Sequence, residues 1–134
     1  MSFIPYKGRW TNRPVRTKAS TAYVANSAVY SDGTDIIPGV ATTEDILGIT
    51  REAKASASNN NPIMVAIPTG ESCTALATVG TGTATSAYEG RLCDLDDTSP
   101  ATSVDITTST EGCLRIIKAL NSSLVEVAIM AQKR

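Results

Sequence analysis

The chain has 134 residues, of which 42% are hydrophobic and 4% aromatic, with a formal net charge of −1 and no histidine. This length suits one compact domain with a substantial core, and the hydrophobic content excludes a chain that is disordered throughout. No apolar run reaches the roughly 20 residues of a membrane-spanning helix. No long apolar segment follows the N-terminal charges, so we expect neither a membrane span nor a signal peptide.

Positive charge is concentrated at the N-terminus. Residues 1–20 contain five basic and no acidic residues, whereas the rest of the chain contains seven basic and 13 acidic residues and has a net charge of −6. Residues 1–18 are rich in cations and in residues that break regular structure, and they have no clean hydrophobic period. This composition predicts an extended arm that becomes ordered only against a partner.

The predicted arm also carries aromatic side chains, which a purely electrostatic tail would not need. Basic segments bind nucleic acid or acidic protein surfaces, and aromatic residues are enriched at the centres of protein interfaces. We therefore favour docking on a protein surface over nucleic-acid binding. The candidate partner-binding residues are Tyr6, Lys7, Arg9, Trp10, Arg13 and Arg16.

From residue 19 to residue 61, short apolar runs alternate with turn signals. Residues 22–30 are strand-like, Asp32-Gly33 marks a tight turn, and residues 46–50 form a further strand candidate. Residues 51–57 are compatible with a helix or with a solvated strand, and we favour the strand.

The stretch from Pro62 to Gly80 has the clearest pattern in the chain. One run alternates Ile63, Val65 and Ile67, and the next alternates small apolar residues from Cys73 to Val79. A period of two predicts two strands, each with one buried face, joined at residues 68–70. Strand-like runs recur up to residue 129, with a turn signal every 8–12 residues or so, which is typical of sandwiches and barrels. The sequence therefore predicts an all-β fold, a small β-barrel or β-sandwich with short strands, as a single domain over residues 19–134.

The two halves of this domain resemble each other, which suggests half-repeats at residues 19–68 and 69–131. The residues around Gly48 match those around Gly112, and the segments 21–23 and 65–67 match 86–88 and 127–129. The offset between the halves stays near 64. Two copies that close one barrel would remove exposed sheet edges. However, any two runs of alternating strands also align to some extent by chance.

The residue types argue against catalysis. Without histidine, Ser–His and Cys–His pairs are excluded, and no local motif supports a Ser–Lys pair. Cys73, Cys93 and Cys113 match no zinc pattern, and their odd number argues against a disulfide framework, so we expect buried free thiols in a protein made in a reducing cytoplasm. The acidic turn Asp94–Asp97 is more simply a solvated loop than a cation site. We expect no cofactor, no metal and no enzymatic activity.

The order of these segments resembles that of small tailed-bacteriophage capsid decoration (cement) proteins with β-barrel bodies. A basic N-terminal segment is followed by Val29-Tyr-Ser-Asp-Gly33, Ile46-Leu-Gly-Ile-Thr50 and, after a polar loop, Val65-Ala-Ile-Pro-Thr-Gly70. The high Ala, Thr, Ser, Val and Asn content and the few aromatic residues also resemble virion structural proteins in general.

The resemblance implies a virion protein on the outer capsid surface, with the major capsid protein as its partner and a trimeric assembly by analogy. The N-terminal arm would then dock across capsid subunits and reinforce the shell. The alternatives are another phage structural component, such as a tail, neck or head-fibre protein, and a small ligand-binding β-barrel.

Overall fold

The structure, a computed structural model, describes residues 3–70, 72–96 and 101–130, and it is all-β. Regular structure in these ranges consists of strands and a single 3₁₀ turn at Ser86–Tyr88. None of the described residues forms a helix long and apolar enough to cross a membrane. The strands are β1 Phe3–Lys7, β2 Trp10–Val15, β3 Ala28–Ser31, β4 Ile36–Pro38, β5 Gly48–Thr50, β6 Ile63–Pro68, β7 Thr74–Thr81, β8 Leu92–Leu95, β9 Val104–Asp105, β10 Leu114–Asn121 and β11 Leu124–Ile129.

Five strands of the second half form a closed barrel, which we call the C-terminal barrel. Its strand order is β7-β11-β10-β8-β9, and β9 closes the barrel by pairing in parallel with the end of β7. The other neighbours are antiparallel. β1 adds to the outer edge of β7, next to its first residues. The predicted small all-β barrel is therefore confirmed.

The remaining five strands form a second sheet, which we call the N-terminal sheet. Its order is β2-β6-β5-β3-β4, with antiparallel neighbours throughout. Thr17, two residues beyond the end of β2, forms one parallel bridge with Ile36 at the start of β4, the opposite edge strand. The N-terminal sheet is thus curled in the same sense as the closed barrel. The chain passes from one to the other between Pro68 and Thr74.

The N-terminal sheet and the C-terminal barrel share both topology and register. In each, the first strand pairs with the fifth, the fifth with the fourth, the fourth with the second and the second with the third. The first strand, or in the N-terminal sheet the residues directly after it, then meets the third strand in parallel. The matched residue pairs are Arg13–Val65 with Ala75–Val127, Val29–Gly48 with Cys93–Leu114, Tyr30–Ile37 with Asp94–Asp105, and Thr17–Ile36 with Val79–Val104.

These registers define the repeated unit as residues 10–68 and 74–129, so the first unit begins earlier than the half-repeat expected at residues 19–68. The shift of 62 residues that relates Val65 to Val127 also relates Ile67 to Ile129. For the fourth strands the shift is 66, so Gly48 corresponds to Leu114. The sequence-based match of Gly48 with Gly112 is therefore wrong by two residues, because the connections before β5 and β10 differ in length.

The structure corrects the expectation of a separate arm over residues 1–18. β1 pairs with β7, and β2 pairs along its whole length with β6. Phe3 is 2% exposed and belongs to the main core. The segment lacks a visible hydrophobic period because its two short strands belong to different sheets. In β2, moreover, only the two end residues, Trp10 and Val15, are partly buried.

The main core joins the two halves. It fills the C-terminal barrel with small and branched apolar side chains, and it also takes in Ala28, Ile46 and Ile49 from the N-terminal half. A smaller cluster lies within the N-terminal sheet and consists of Tyr23, Val29, Ile36, Ile63 and Val65. The two halves are therefore packed together through one continuous apolar cluster.

The position of Phe3 makes the first strand necessary for stability. Replacing a buried Phe with Ala costs about 3–5 kcal/mol through lost burial and the cavity left behind. We expect Phe3→Ala to lower the free energy of unfolding by that amount in urea denaturation. The control is Tyr6→Ala on the same strand, where the side chain is 49% exposed and the expected change is below about 0.5 kcal/mol. Equal unfolding midpoints for both variants and the parent would mean that β1 is not part of the folded body.

Gly48 lies where two strands approach closely. A Cβ atom there would overlap the carbonyl oxygen of Ala66 and the side chain of Val65. Because the obstacle includes backbone, Gly48→Ala should destabilise the protein by about 1–3 kcal/mol. Gly70→Ala is the matched control, since a Cβ there meets nothing within 4 Å and the residue has no positive φ. A thermal unfolding midpoint for Gly48→Ala as high as that of the control would contradict the close pairing of β5 with β6.

Candidate protein-binding face on β1 and β2

The six predicted partner-binding residues lie on one continuous segment, which we call the β1–β2 face (residues 6–16). Tyr6 and Lys7 end β1, Trp10 and Arg13 belong to β2, and Arg9 lies in the turn between the strands. Arg16 directly follows β2. The structure therefore holds these residues on a fixed surface rather than on a flexible tail.

The turn between β1 and β2 is fixed by backbone contacts. Gly8 has φ of 84°, and a Cβ atom there would lie 2.7 Å from the Cα atom of Cys73. The carbonyl oxygen of Arg9 accepts hydrogen bonds from Thr69 Oγ1 at 2.9 Å and from Cys73 Sγ at 2.9 Å. The Arg9 backbone is thus anchored to the segment between β6 and β7, while its side chain is exposed.

The two aromatic residues of the face have different roles. Trp10 is half-buried against the main core and donates from Nε1 to the carbonyl oxygen of Lys7 at 3.0 Å. Tyr6 is 49% exposed, and the Lys7 ammonium lies 5.2 Å from the centre of its ring, within cation–π range. Tyr6 can therefore contact a partner, whereas Trp10 mainly fixes the turn.

The four cations of the face also divide into two groups. Lys7 Nζ lies 3.9 Å from Glu126 Oε2, and Arg16 Nε donates to Asp35 Oδ1 at 2.7 Å. Arg9 and Arg13 are exposed, and within the described ranges neither forms an ion pair. These two guanidinium groups remain available to an acidic partner, and arginine suits this role because it binds carboxylates in a bidentate manner.

A further feature, the outer edge of β2, was not predicted from the sequence. β2 is the last strand of the N-terminal sheet, and no described strand pairs with its outer side along residues 10–15. The one signal that favoured an edge strand was Pro14, because proline within a strand is largely confined to sheet edges. The exposed residues Thr11 and Asn12 belong to this edge.

The structure corrects the expectation of a solvated loop at the acidic turn, because two of its carboxylates accept hydrogen bonds from neighbouring segments. Asp94 is 4% exposed, and its Oδ1 accepts hydrogen bonds from the backbone N–H groups of Glu111 and Gly112, at 3.1 and 2.8 Å. Asp96 accepts from the hydroxyl groups of Thr81 and Ser103. These carboxylates hold neighbouring loops in place, and Asp97 lies outside the described residues. No group of three or more metal-ligating side chains comes together in the described part of the chain.

Two open clefts of about 300 Å³ each lie beside the connections that follow β4 and β9. Both linings contain several hydroxyl side chains, and the first also contains the carboxylates of Glu44 and Asp45. The first is lined by Tyr30, Ser31, Val40, Thr42, Thr43, Glu44 and Asp45, and the second by Arg91, Leu92, Ile106, Thr107, Thr108 and Ser109.

All three cysteines are buried, as expected, and two of them belong to the core of the C-terminal barrel. Burial raises the pKa of the Cys113 thiol to about 12 and also raises that of Cys93. Because the thiolate is the reactive form, both groups stay protonated and inert near neutral pH.

Comparison with known proteins gives no further guide to this face. No protein-family profile matches the chain, and no curated protein is significantly similar to it.

Burial inside the closed barrel should limit the rate at which the thiols of Cys93 and Cys113 react. In a Cys73→Ala variant the two remaining thiols, Cys93 and Cys113, should react with a disulfide reagent at mildly alkaline pH only as fast as the protein unfolds, because they are shielded and protonated. In concentrated denaturant both should react at the rate of a free thiol. Rapid labelling of either residue in the native protein would show that the barrel is open.

Proposed function

We propose that this protein is a structural, non-enzymatic virion component that binds the outer surface of a bacteriophage capsid and stabilises it. The resemblance to capsid decoration proteins supports this proposal, and so does the small, closely packed all-β body with one closed barrel and one curled sheet. Its partner would be the major capsid protein. Assembly of the decoration protein as a homo-oligomer, with a trimer favoured by analogy, forms part of the same proposal.

One observation carries most of the argument: the protein presents a fixed basic surface on an otherwise acidic body. The first 20 residues carry five positive charges, and the remaining residues have a net charge of −6. On the β1–β2 face, Arg9 and Arg13 are exposed and unpaired within the described ranges, next to the exposed Tyr6. Arginine and tyrosine are among the residues that most often dominate the binding energy of protein interfaces.

The structure changes how such docking would work. A flexible arm loses conformational freedom when it binds, which reduces the affinity. The β1–β2 face is instead held in advance by strand pairing and by the hydrogen bonds to the Arg9 carbonyl. The body would therefore dock as a rigid unit, and the contact would be confined to one side of the molecule.

The proposal is tested by charge neutralisation on the face. The binding partner in the test is an empty shell assembled from the major capsid protein that is encoded in the same genome. We expect the double variant Arg9→Gln/Arg13→Gln to bind these shells at least about tenfold more weakly than the parent protein, as measured by co-sedimentation. Tenfold corresponds to about 1.4 kcal/mol, a modest loss for two interface arginines. Lys118→Gln is the matched control, because Lys118 is also an exposed cation on a strand, but on β10.

Two results would contradict the proposal. If the parent protein does not bind the shells at all, the assigned role is wrong. If the double variant binds as tightly as Lys118→Gln and the parent, the β1–β2 face is not the contact. Circular dichroism of each variant separates lost contacts from lost folding.

A further inference from the structure

The edge of β2 that lacks a partner corresponds to an edge that is occupied in the C-terminal barrel. There, β1 pairs with β7 from Thr74 to Ala77. The shift of 62 residues that relates β2 to β7 places residues 12–15 of β2 at the equivalent positions. Along these residues no described strand pairs with the outer side of β2. The molecule therefore contains its own example of a strand bound at this edge.

The directions of the backbone groups show what the β2 edge offers. Arg51 N donates to Met64 O, and Met64 N donates to the Glu52 carboxylate, so the backbone of Met64 faces β5. Pro14 is the register partner of Met64 on β2. When one residue of an antiparallel register pair directs its backbone N–H and C=O groups away from the neighbouring strand, its partner residue does the same. Pro14 and, two residues earlier, Asn12 thus direct their backbone groups outward.

In the C-terminal barrel the same position is used for pairing. Phe3 N donates to Asn26 O at 3.0 Å and so points away from β7. The next residue, Ile4, therefore faces its partner Leu76, which is the counterpart of Pro14. Proline has no N–H, so between residues 11 and 15 the β2 edge offers one donor, the Asn12 N–H, and the carbonyl groups of Asn12 and Pro14 as acceptors.

This edge discriminates between occupants. Proline and charged residues on an edge strand discourage pairing between identical sheets. Two copies meeting here would also bring Arg9, Arg13 and Arg16 of each chain together, and like charges on adjacent strands are destabilising. An extended segment that carries carboxylates has neither disadvantage, because its acidic side chains would face the unpaired Arg9 and Arg13.

We propose that β2 receives an added strand: an extended acidic segment of a partner protein pairs along residues 11–15, with carboxylates at alternate positions facing the arginines. Strand addition of this kind draws affinity from main-chain hydrogen bonds and specificity from alternate side chains. The inference rests on the proposed function only for the identity of the partner, which would be the capsid protein. The mode of binding rests on the geometry of the edge.

The test uses the full chain, labelled with ¹⁵N, and a synthetic peptide of Thr-Glu repeats as the probe. We expect the peptide to shift the amide signals of residues 11–15 and to slow hydrogen exchange of the Asn12 amide at least about tenfold, because that amide becomes hydrogen-bonded. Arg13→Gln should weaken peptide binding, whereas Lys118→Gln should not. A peptide of Thr-Lys repeats should not bind.

Two outcomes overturn the inference. One is the absence of any shift at residues 11–15 with millimolar peptide. The other is binding that perturbs Arg9 and Arg13 but leaves exchange of the Asn12 amide unchanged, which would mean electrostatic contact without strand pairing. The shell assay is independent: if the peptide pairs with β2 while shells do not bind the parent protein, the capsid role fails and the strand addition stands.

Discussion

The insertion of β1 between the two halves of the molecule determines how the N-terminal surface is arranged. The backbone of Phe3 contacts both halves. Its N–H donates to the carbonyl oxygen of Asn26 in the N-terminal half, and its register partner is Ala77 in the C-terminal barrel. Its ring lies in the main core. Because only the turn at Gly8 separates β1 from β2, this placement also fixes where β2 begins. The basic side chains of residues 6–16 therefore occupy a defined surface.

The two halves share a backbone plan and differ at their edges. Equivalent turns adopt left-handed conformations, at Asn26 in one half and Gly90 in the other, with φ of 61° and 87°. Asn26 N donates to Thr50 O, and Gly90 N donates to Ile116 O, which is the same contact in each half. Asn tolerates this conformation and Gly favours it, so the residue types fit the shared plan. The edges differ because β1 pairs with β7, whereas no described strand pairs with the corresponding edge of β2, where Pro14 stands in place of Leu76.

Strands with one clean alternating face could be predicted from the sequence, and the fold class followed from them. β6 and β7 lie where the alternation of Ile63 to Ile67 and of Cys73 to Val79 indicated. The N-terminal strands could not be predicted, because β1 and β2 each bury few side chains and their register partners lie between 48 and 74 residues away along the chain. The exposed arginines were found from charge alone, whereas the structural role of Trp10 and the open edge of β2 required the register. Residues 51–57, interpreted as a solvated strand, form only an isolated bridge at Lys54.

Native-state hydrogen exchange at two amides tests the central claim most directly. The Ile4 amide, which faces Leu76, should exchange as slowly as amides in the middle of β7, because it opens only when the fold opens. The Asn12 amide, on the open edge of β2, should exchange quickly in the free protein. Fast exchange at Ile4 would show that residues 3–7 are a mobile arm, and slow exchange at Asn12 would show that the β2 edge is already occupied. Either result would contradict the fixed, open-edged face described above.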